Sequence, residues 1–379
     1  MRITAQLIDA ASDEHLWAER YDRDLEDIFA IQTDVAERIV EALSVRLKPA
    51  EKARLAERPT DSLEAYQAYL KGRQLLSRRT ETTLRQAIEQ FRKAVEVDSA
   101  FAQGWAGLAD ANALLPRYSP MPQPAAHVQA RAAAERALRL DPGLGEPHAA
   151  LGLVAKFEWK WEEAEREYRR AVELAPGYAT AHHWYGIFLI TRGRMKEAFA
   201  TLERARELDP LSFPIQMAIG TALGYDRRYE EAIDLYRKVL EMDPGYVPAR
   251  SNLSGVFLHL RRCGEALEEF EVLARLAPDF APADWVSELR QGYMALGEKG
   301  FWEAYLEGLR ARPGTVLGGK FEMAFACAQL GKIDDAFALI DDLLAERSPL
   351  SEQLAGNPGF DPLQSDPRWE KVLERMGLR

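Results

Sequence analysis

The sequence predicts an all-α fold, a solenoid of about eight helical hairpins that follows a short β-hairpin and one helix. Three observations predict it: prolines recur at a constant interval, small residues recur at fixed distances from them, and the first residues of the chain alternate in polarity. Five prolines are spaced 34 residues apart, at Pro142, Pro176, Pro210, Pro244 and Pro278. Such an interval is typical of arrays in which each unit packs only against its neighbours.

Residues 1–48 are predicted to be the remnant of a sheet domain. Apolar residues alternate with polar ones from Ile3 to Leu7 and again, less strictly, after a polar turn, which is the pattern of a β-hairpin. From Ile28 the apolar residues change to helical spacing, and Pro49 ends that helix. A lone hairpin of this length is marginally stable in water, so we expect further strands.

The repeated units are defined by small and large residues at fixed positions. Alanines stand twelve residues before each proline, at Ala130, Ala164, Ala198, Ala232 and Ala266. Small residues stand ten positions after four of the prolines, at Gly152, Gly186, Gly220 and Ser254. Large apolar residues follow four of the alanines by four positions and share their helix face, at Tyr168, Leu202, Tyr236 and Phe270. Small residues are needed where two helices approach closely, so we predict one helix pair in each unit.

This set of positions resembles the tetratricopeptide repeat (TPR), with a small residue at position 8, alanine at 20 and 27, a large apolar residue at 24 and proline at 32. The resemblance implies a right-handed superhelix whose first helices line a concave surface. We expect the array to occupy residues 61–348, with less regular hairpins at both ends. Residues 349–379 are predicted to be capping helices that cover the last apolar face.

The amino-terminal segment also resembles a bacterial family, on the residues from Ile3 to Ala10, Leu16 to Asp22 and Asp27 to Gln32. Residues 61–72 and 366–378 are similar to the same family. In that family such a segment ends a small sheet domain similar to the TolB amino-terminal domain, and it joins winged-helix regulators or class III adenylate cyclases to a TPR array. The chain holds none of the upstream effector, so cyclase or DNA-binding activity does not carry over. We expect either a fragment, which we favour, or a shortened natural protein.

The composition is that of a folded protein, because 47% of the 379 residues are hydrophobic and 29% are charged. A formal net charge of −11 argues against nucleic acid as a partner. Apolar runs stay shorter than the roughly 20 residues that cross a bilayer, so we predict a cytoplasmic protein without membrane insertion. Cys263 and Cys327 lie outside any metal-binding motif and are predicted to be buried apolar side chains.

The sequence favours a protein that is not an enzyme and needs neither metal nor cofactor. Adjacent His182 and His183 point about 100 degrees apart on a helix and cannot ligate one metal as an i, i+4 pair. Gly318, Gly319 and Lys320 lack the first glycine and the final hydroxyl residue of a phosphate-binding loop, so they are interpreted as a helix start. The many carboxylates stand beside basic residues on amphipathic helices, where solvated ion pairs are expected.

The function predicted is a protein-interaction scaffold that binds a peptide or protein segment in the concave groove, as the docking or regulatory part of a larger signalling protein. TPR domains that bind chaperone tails carry Lys and Asn at positions 5 and 9, which this chain does not, so an apolar or aromatic segment fits better. The candidate groove residues are Phe157, His183, Ile187, Met217, Thr221, Tyr225, Ser251 and His259.

Two alternatives stay open at this point. Inward apolar residues such as Ile187 could instead pack between adjacent helices, without contacting any ligand. The array could also be a structural self-association module, a homodimer formed through exposed strand edges at residues 2–23. The groove occupant itself could come from the missing upstream region of the chain or from another subunit.

Overall fold

The computed structural model describes residues 2–9, 14–22, 28–42, 58–119, 123–312 and 319–378. Strands β1 (Arg2–Asp9) and β2 (Glu14–Asp22) pair antiparallel in a two-stranded sheet, with an irregularity in the register between Leu7 and Ile8. Helix α1 (Ile28–Ala42) contacts β2. The predicted hairpin and the helix after it are therefore confirmed, whereas the predicted helix end at Pro49 lies outside the described residues.

The rest of the described chain is helical. The first half of the array contains α2 (Leu63–Ser77), α3 (Glu81–Val97), α4 (Ala102–Leu114), α5 (Gln123–Leu140), α6 (Glu146–Phe157), α7 (Trp161–Leu174), α8 (Ala179–Thr191) and α9 (Met195–Leu208). The second half contains α10 (Phe213–Tyr225), α11 (Tyr229–Met242), α12 (Val247–His259), α13 (Cys263–Leu276), α14 (Ala283–Ala311), α15 (Lys320–Gln329) and α16 (Ile333–Ala345). Helix α17 (Pro367–Arg375) follows two short 3₁₀ turns.

Helix α14 is itself a hairpin, because the chain reverses direction in its middle. Leu296 and Gly297 leave the helical conformation, and Gly297 has a φ of +60°. The two halves approach so closely that a Cβ atom added to Gly292 would lie 2.3 Å from the carbonyl oxygen of Gly300. Counted with this pair, the described residues form eight hairpins, which confirms the predicted solenoid.

Glycine at position 8 makes room for the large side chain at position 24 of the same hairpin. A Cβ atom added to Gly220 would lie 2.4 Å from the ring of Tyr236, closer than packed atoms tolerate. The same distance from Gly186 to the Leu202 side chain would be 2.5 Å. Both of these hairpins are therefore built around a large side chain that lies directly on a glycine backbone, as the spacing predicted.

In four units a polar side chain at position 4 forms a hydrogen bond to the carbonyl group six residues earlier. The side chains of Trp105, His182, Gln216 and Arg250 donate hydrogen bonds to the carbonyl oxygens of Ser99, Pro176, Pro210 and Pro244. These carbonyl groups stand where one hairpin ends and the next begins, and the bond satisfies a backbone acceptor there. The chemistry of the donor varies while its place does not.

Seven of the eight hairpins described turn through one residue with a positive φ angle. Glycine takes this place in three of them, at Gly193, Gly297 and Gly331. In the other four an L side chain occupies it, at Arg79, Trp159, Arg227 and Arg261. The left-handed conformation costs an L residue about 1–2 kcal/mol, so these side chains are retained at some cost in stability. All four contact other parts of the molecule, as described below for the first three.

Candidate binding groove

The first helices of the hairpins line the inner surface of the superhelix. Helices α4, α6, α8, α10 and α12 contact each other in succession, in addition to their own second helices. The curvature is tight: the Arg79 guanidinium, in the turn of the first hairpin, donates to Nδ1 of His183 in the fourth over 3.4 Å. Burial lowers the pKa of His183 well below its ordinary value, so the ring is neutral and can accept.

The residues after α16 return to this inner surface. They form 3₁₀ turns at Pro349–Gln353 and Pro358–Leu363 before α17 packs on α16. Phe360 anchors the second turn, with its ring centroid 5.2 Å from that of Phe321 and 6.2 Å from that of Trp369. We call residues 349–363 the tail segment. It contacts the inner ends of first helices in hairpins that precede it by more than a hundred residues.

A buried ion pair fixes the start of the tail segment to the third hairpin. The ammonium group of Lys156, at the end of α6, donates to the carboxylate of Glu352. The Lys156 side chain is 1% exposed and that of Glu352 is 4% exposed. Burial lowers the pKa of Lys156, and the carboxylate opposes that effect. Arg117, 3.6 Å from the other carboxylate oxygen, supplies a second cation. Two charges this deep are tolerable only while they stay paired.

Hairpin turns hold the later residues. Arg227, one of the strained turn residues, makes two hydrogen bonds of 2.7 and 2.9 Å to the carboxylate of Asp361. The strained Trp159 stacks under the guanidinium of Arg347, 5.6 Å from its ring centroid. Beyond the tail segment, the indole N–H of Trp161 donates to the carbonyl oxygen of Met376 over 2.5 Å. The tail segment and its flanks thus touch the turns of several successive hairpins.

Four of the candidate groove residues pack against other parts of the array. Phe157 is buried with its ring stacked on His127 of α5, at 5.8 Å between centroids. His183 is buried against Arg79, Met217 is buried near the Asn252 side chain, and Ile187 is half-buried against the core. These positions agree with the alternative hypothesis that inward-facing residues pack between helices.

The other four, Thr221, Tyr225, Ser251 and His259, line one cavity of about 170 Å³ on the inner surface. Residues of α10, α12, α15 and the tail segment contribute to its wall, together with Tyr236, Phe270 and Tyr305 from the helices between them. Tyr225 donates to Gln353 over 3.5 Å, and the Asn357 side chain hydrogen-bonds to Tyr225 and His259. The structure thus brings together residues that the repeat register placed in separate units.

Two titratable groups in the cavity wall have shifted pKa values. Burial raises the pKa of Glu322 to about 7, against a hydrogen bond of 3.2 Å that its carboxylate accepts from the Tyr305 hydroxyl. Burial lowers the pKa of His259 to about 4, so its ring is neutral, and its Nδ1 atom has no hydrogen-bond partner among the described residues. The cavity is therefore polar in places but weakly charged.

The candidate groove residues did not include Lys156, Glu352 or Glu322. Lys156 did carry a signal, because it stands at position 12, where the three following repeats place Ile190, Gly224 and Leu258. A lysine among such residues on an inner face requires a carboxylate partner, although the repeat pattern could not say which one. Glu322 had no comparable signal, since the last hairpins depart from the regular spacing.

The fold and its inner surface define a TPR solenoid, a class of protein-interaction scaffold that is generally not enzymatic. Tetratricopeptide-repeat family patterns match residues 151–212 and 225–285. Within the described residues, none of the helices combines the length and apolar character that a membrane crossing requires. Cys263 and Cys327 are both buried and free, as predicted.

Among curated proteins, "Putative adenylate cyclase 3" of Rhizobium meliloti (strain 1021) is 40% identical over 108 residues. The match spans 28% of this chain and only 18% of that protein. Among solved structures, Pseudomonas aeruginosa PilF is 22% identical with a TM-score of 0.42, covering 56% of this chain and 96% of PilF. YrrB, described as a TPR protein with an unusual peptide-binding site, is 22% identical with a TM-score of 0.31, covering 53% of this chain and 96% of YrrB.

Proposed function

We propose that this chain is a scaffold that binds a protein segment on the inner surface of its superhelix, and that its own tail segment occupies that surface until a partner replaces it. The observation that carries the proposal is the tail segment itself, a short stretch of 3₁₀ turns held by the inner helices and hairpin turns. A surface that holds one such stretch by an ion pair, aromatic contacts and hydrogen bonds has the chemistry to hold another.

The setting we propose is a cytoplasmic signalling protein in which the array is a docking or regulatory part. The partial match to a cyclase supports this setting, as does the similarity of the amino-terminal segment to regulators with a TolB-like sheet domain. The upstream effector, whether a cyclase or a winged-helix domain, is part of the proposal. When a partner replaces the tail segment, the population of the array moves toward the state that the partner binds better. That change of state would regulate the upstream effector.

The test uses the exposed ion pair between Arg227 and Asp361, since its loss loosens the tail segment without disturbing the core. Three chains serve as baits in a bacterial lysate: the wild type, Arg227→Glu, and the charge-swapped Arg227→Glu/Asp361→Arg. Exposed pairs contribute about 0.2–1 kcal/mol. We therefore expect captured partners to increase about 1.5- to fivefold with Arg227→Glu and to return toward the wild-type level with the swapped pair.

A fourth bait, Arg227→Glu/Tyr225→Ala/His259→Ala, is the matched control for the surface itself. Partners that bind the inner surface should be lost from this bait while its circular dichroism and melting temperature stay near those of Arg227→Glu. Equal capture by all four baits would contradict binding at the inner surface.

Homodimer formation is the second candidate. It is favoured by the two-stranded sheet, in which each of the described strands pairs along one edge only. An unpaired edge is a template for another strand. If this candidate holds, light scattering will give a mass that doubles with concentration, and deletion of residues 1–48 will restore the monomer mass.

A further inference from the structure

The cavity between α10, α12, α15 and the tail segment has features that the binding of a protein segment does not require. Its wall contains aromatic rings from five elements, and three of them, Tyr236, Phe270 and Tyr305, are almost fully buried. Phe325 from α15 and Tyr225 from α10 add two further rings to the wall. Ring faces carry negative potential, so a cavity walled by several of them favours a cation.

One carboxyl group stands in this wall without a basic partner among the described residues. The Glu322 carboxylate accepts a hydrogen bond from Tyr305, and no described Lys, Arg or His lies within 4 Å of it to form an ion pair. Carboxylates that face an enclosed space are commonly paired, because an isolated negative charge there is costly. This group is therefore suited to neutralise a cation that enters the cavity.

The open volume of the cavity depends on two glycines. Gly255 stands at a groove-facing position of α12, and a Cβ atom added there would meet nothing within 4 Å. At Gly224 the same atom would meet only Val256, at 3.9 Å. In contrast to the glycines at position 8, these two relieve no clash with a packed side chain. Glycine inside a helix costs about 1 kcal/mol relative to alanine, and the gain here is open volume.

We propose that this cavity binds a small organic ammonium ion, with its charged head between the aromatic rings and the Glu322 carboxylate. Hydroxyl and amide groups of Ser251, Thr221 and Asn357 are available to a polar substituent of the same molecule. Because Gln353 and Asn357 close the cavity, the bound ion also stabilises the seated tail segment. The site does not depend on the identity of any protein partner.

Choline is the probe, and isothermal titration calorimetry on the full chain is the measurement. The uncharged analogue 3,3-dimethylbutan-1-ol has the same shape, so it should bind at least about tenfold more weakly if the charge is recognised, a difference of about 1.4 kcal/mol. Ethanolamine replaces the methylated head by a primary ammonium and tells which of the two heads fits better. Saturable binding of either amine at millimolar concentrations supports the site.

Two variants locate the binding. Glu322→Gln keeps the acceptor for Tyr305 and removes the charge, and Gly255→Leu fills the cavity; each should weaken choline binding at least about tenfold. Gly177→Leu is the matched control, since a Cβ atom there also meets nothing within 4 Å, and it should bind like the wild type. Hydrogen exchange of residues 349–363 should slow with choline in the wild type only.

Equal binding of choline and its uncharged analogue would overturn the proposal, as would undiminished binding by both cavity variants or no saturable binding of either amine by the folded wild type. A variant that melts well below the wild type is replaced by Gly255→Ala, which reduces the volume and favours the helix. Partner capture by the Arg227 variants is measured without added choline, so the two proposals fail separately.

Discussion

At the scale of single residues, the inner surface concentrates groups whose burial changes their protonation. Asp110 on α4 is fully buried and its carboxylate accepts a hydrogen bond from the Tyr178 hydroxyl, with the Arg73 guanidinium 5.4 Å from the Tyr178 ring centroid. Burial raises the pKa of Asp110 to about 7, and Arg73 opposes the effect. Its Oδ1 atom has no hydrogen-bond partner among the described residues.

This carboxyl makes the stability of the protein depend on pH. The raised pKa means that the folded state binds the proton more tightly than the unfolded state, so the contribution is complete below about pH 4 and is lost as pH rises to about 7. Asp110→Asn keeps an acceptor for Tyr178 and removes the titration. We expect the variant to gain about 2–3 kcal/mol relative to the wild type between pH 5 and pH 8, since each pKa unit corresponds to about 1.4 kcal/mol.

Urea unfolding of both chains at the two pH values measures this difference. Other carboxylates titrate identically in the two chains and cancel in the comparison. A gap between the chains that is the same at pH 5 and pH 8 would show that Asp110 keeps an ordinary pKa.

At the scale of elements, the tail segment depends on the buried pair of Lys156 and Glu352. Replacing Lys156 by Met leaves the Glu352 carboxylate buried with only Arg117 nearby, which should cost about 3–5 kcal/mol. Lys156→Met/Glu352→Leu removes both charges and should recover most of that loss, because no charge is left without its partner.

Urea denaturation gives the cost of each change, and hydrogen exchange of residues 349–363 shows whether the segment has detached. Arg204→Ala, which breaks an exposed i, i+3 pair with Glu207, is the control and should change stability by less than about 0.5 kcal/mol. Costs that simply add in the double variant would mean that the two charges do not interact.

The sequence predicted the elements and their hairpins well but not the tail segment, and the reason is physical. Gly220 and Tyr236 recur with their unit, so their contact repeats along the array and produces a period. Lys156 and Glu352 are 196 residues apart and occur once. A repeat pattern contains only the contacts that occur in every unit. A long-range pair that occurs once is visible in the sequence only as an isolated lysine on an apolar helix face.

The candidate site was predictable in the same limited sense. Repeat register placed Thr221, Tyr225, Ser251 and His259 on the inner surface, and the structure groups them around one cavity. The register could not predict that Glu322 also lines this cavity, because Glu322 belongs to a hairpin whose linking segments have drifted from the 34-residue period.

At the scale of the whole molecule, the tail segment changes how the array holds together. Stacked repeats ordinarily contact only their neighbours, and their ends open independently. Here Phe360 packs among Phe321, Phe325 and Trp369. Neighbouring residues of the tail segment contact the third, fifth and sixth hairpins. Distant hairpins should therefore open together.

Phe360→Ala tests this cooperativity. Truncating a fully buried phenylalanine should cost about 3–5 kcal/mol, and hydrogen exchange should accelerate in α6, α10 and α12 as well as in α15 and α16. Phe91→Ala in the first hairpin, also fully buried, is the comparison, and its effect should stay within α2 to α5. Acceleration confined to α15 and α16 would show that the tail segment does not couple the hairpins.

The hydrogen bond from Trp161 to Met376 has a consequence for synthesis on the ribosome. The two residues are 215 positions apart, so the acceptor is synthesised long after the donor. Hairpins that contain the donor can form soon after they leave the ribosome, but their inner side stays unfinished until the residues around Met376 have also been made. During that interval the nascent chain offers Lys156, Trp161 and Arg227 to its surroundings, so chaperones or early partners meet a surface that the completed protein has covered.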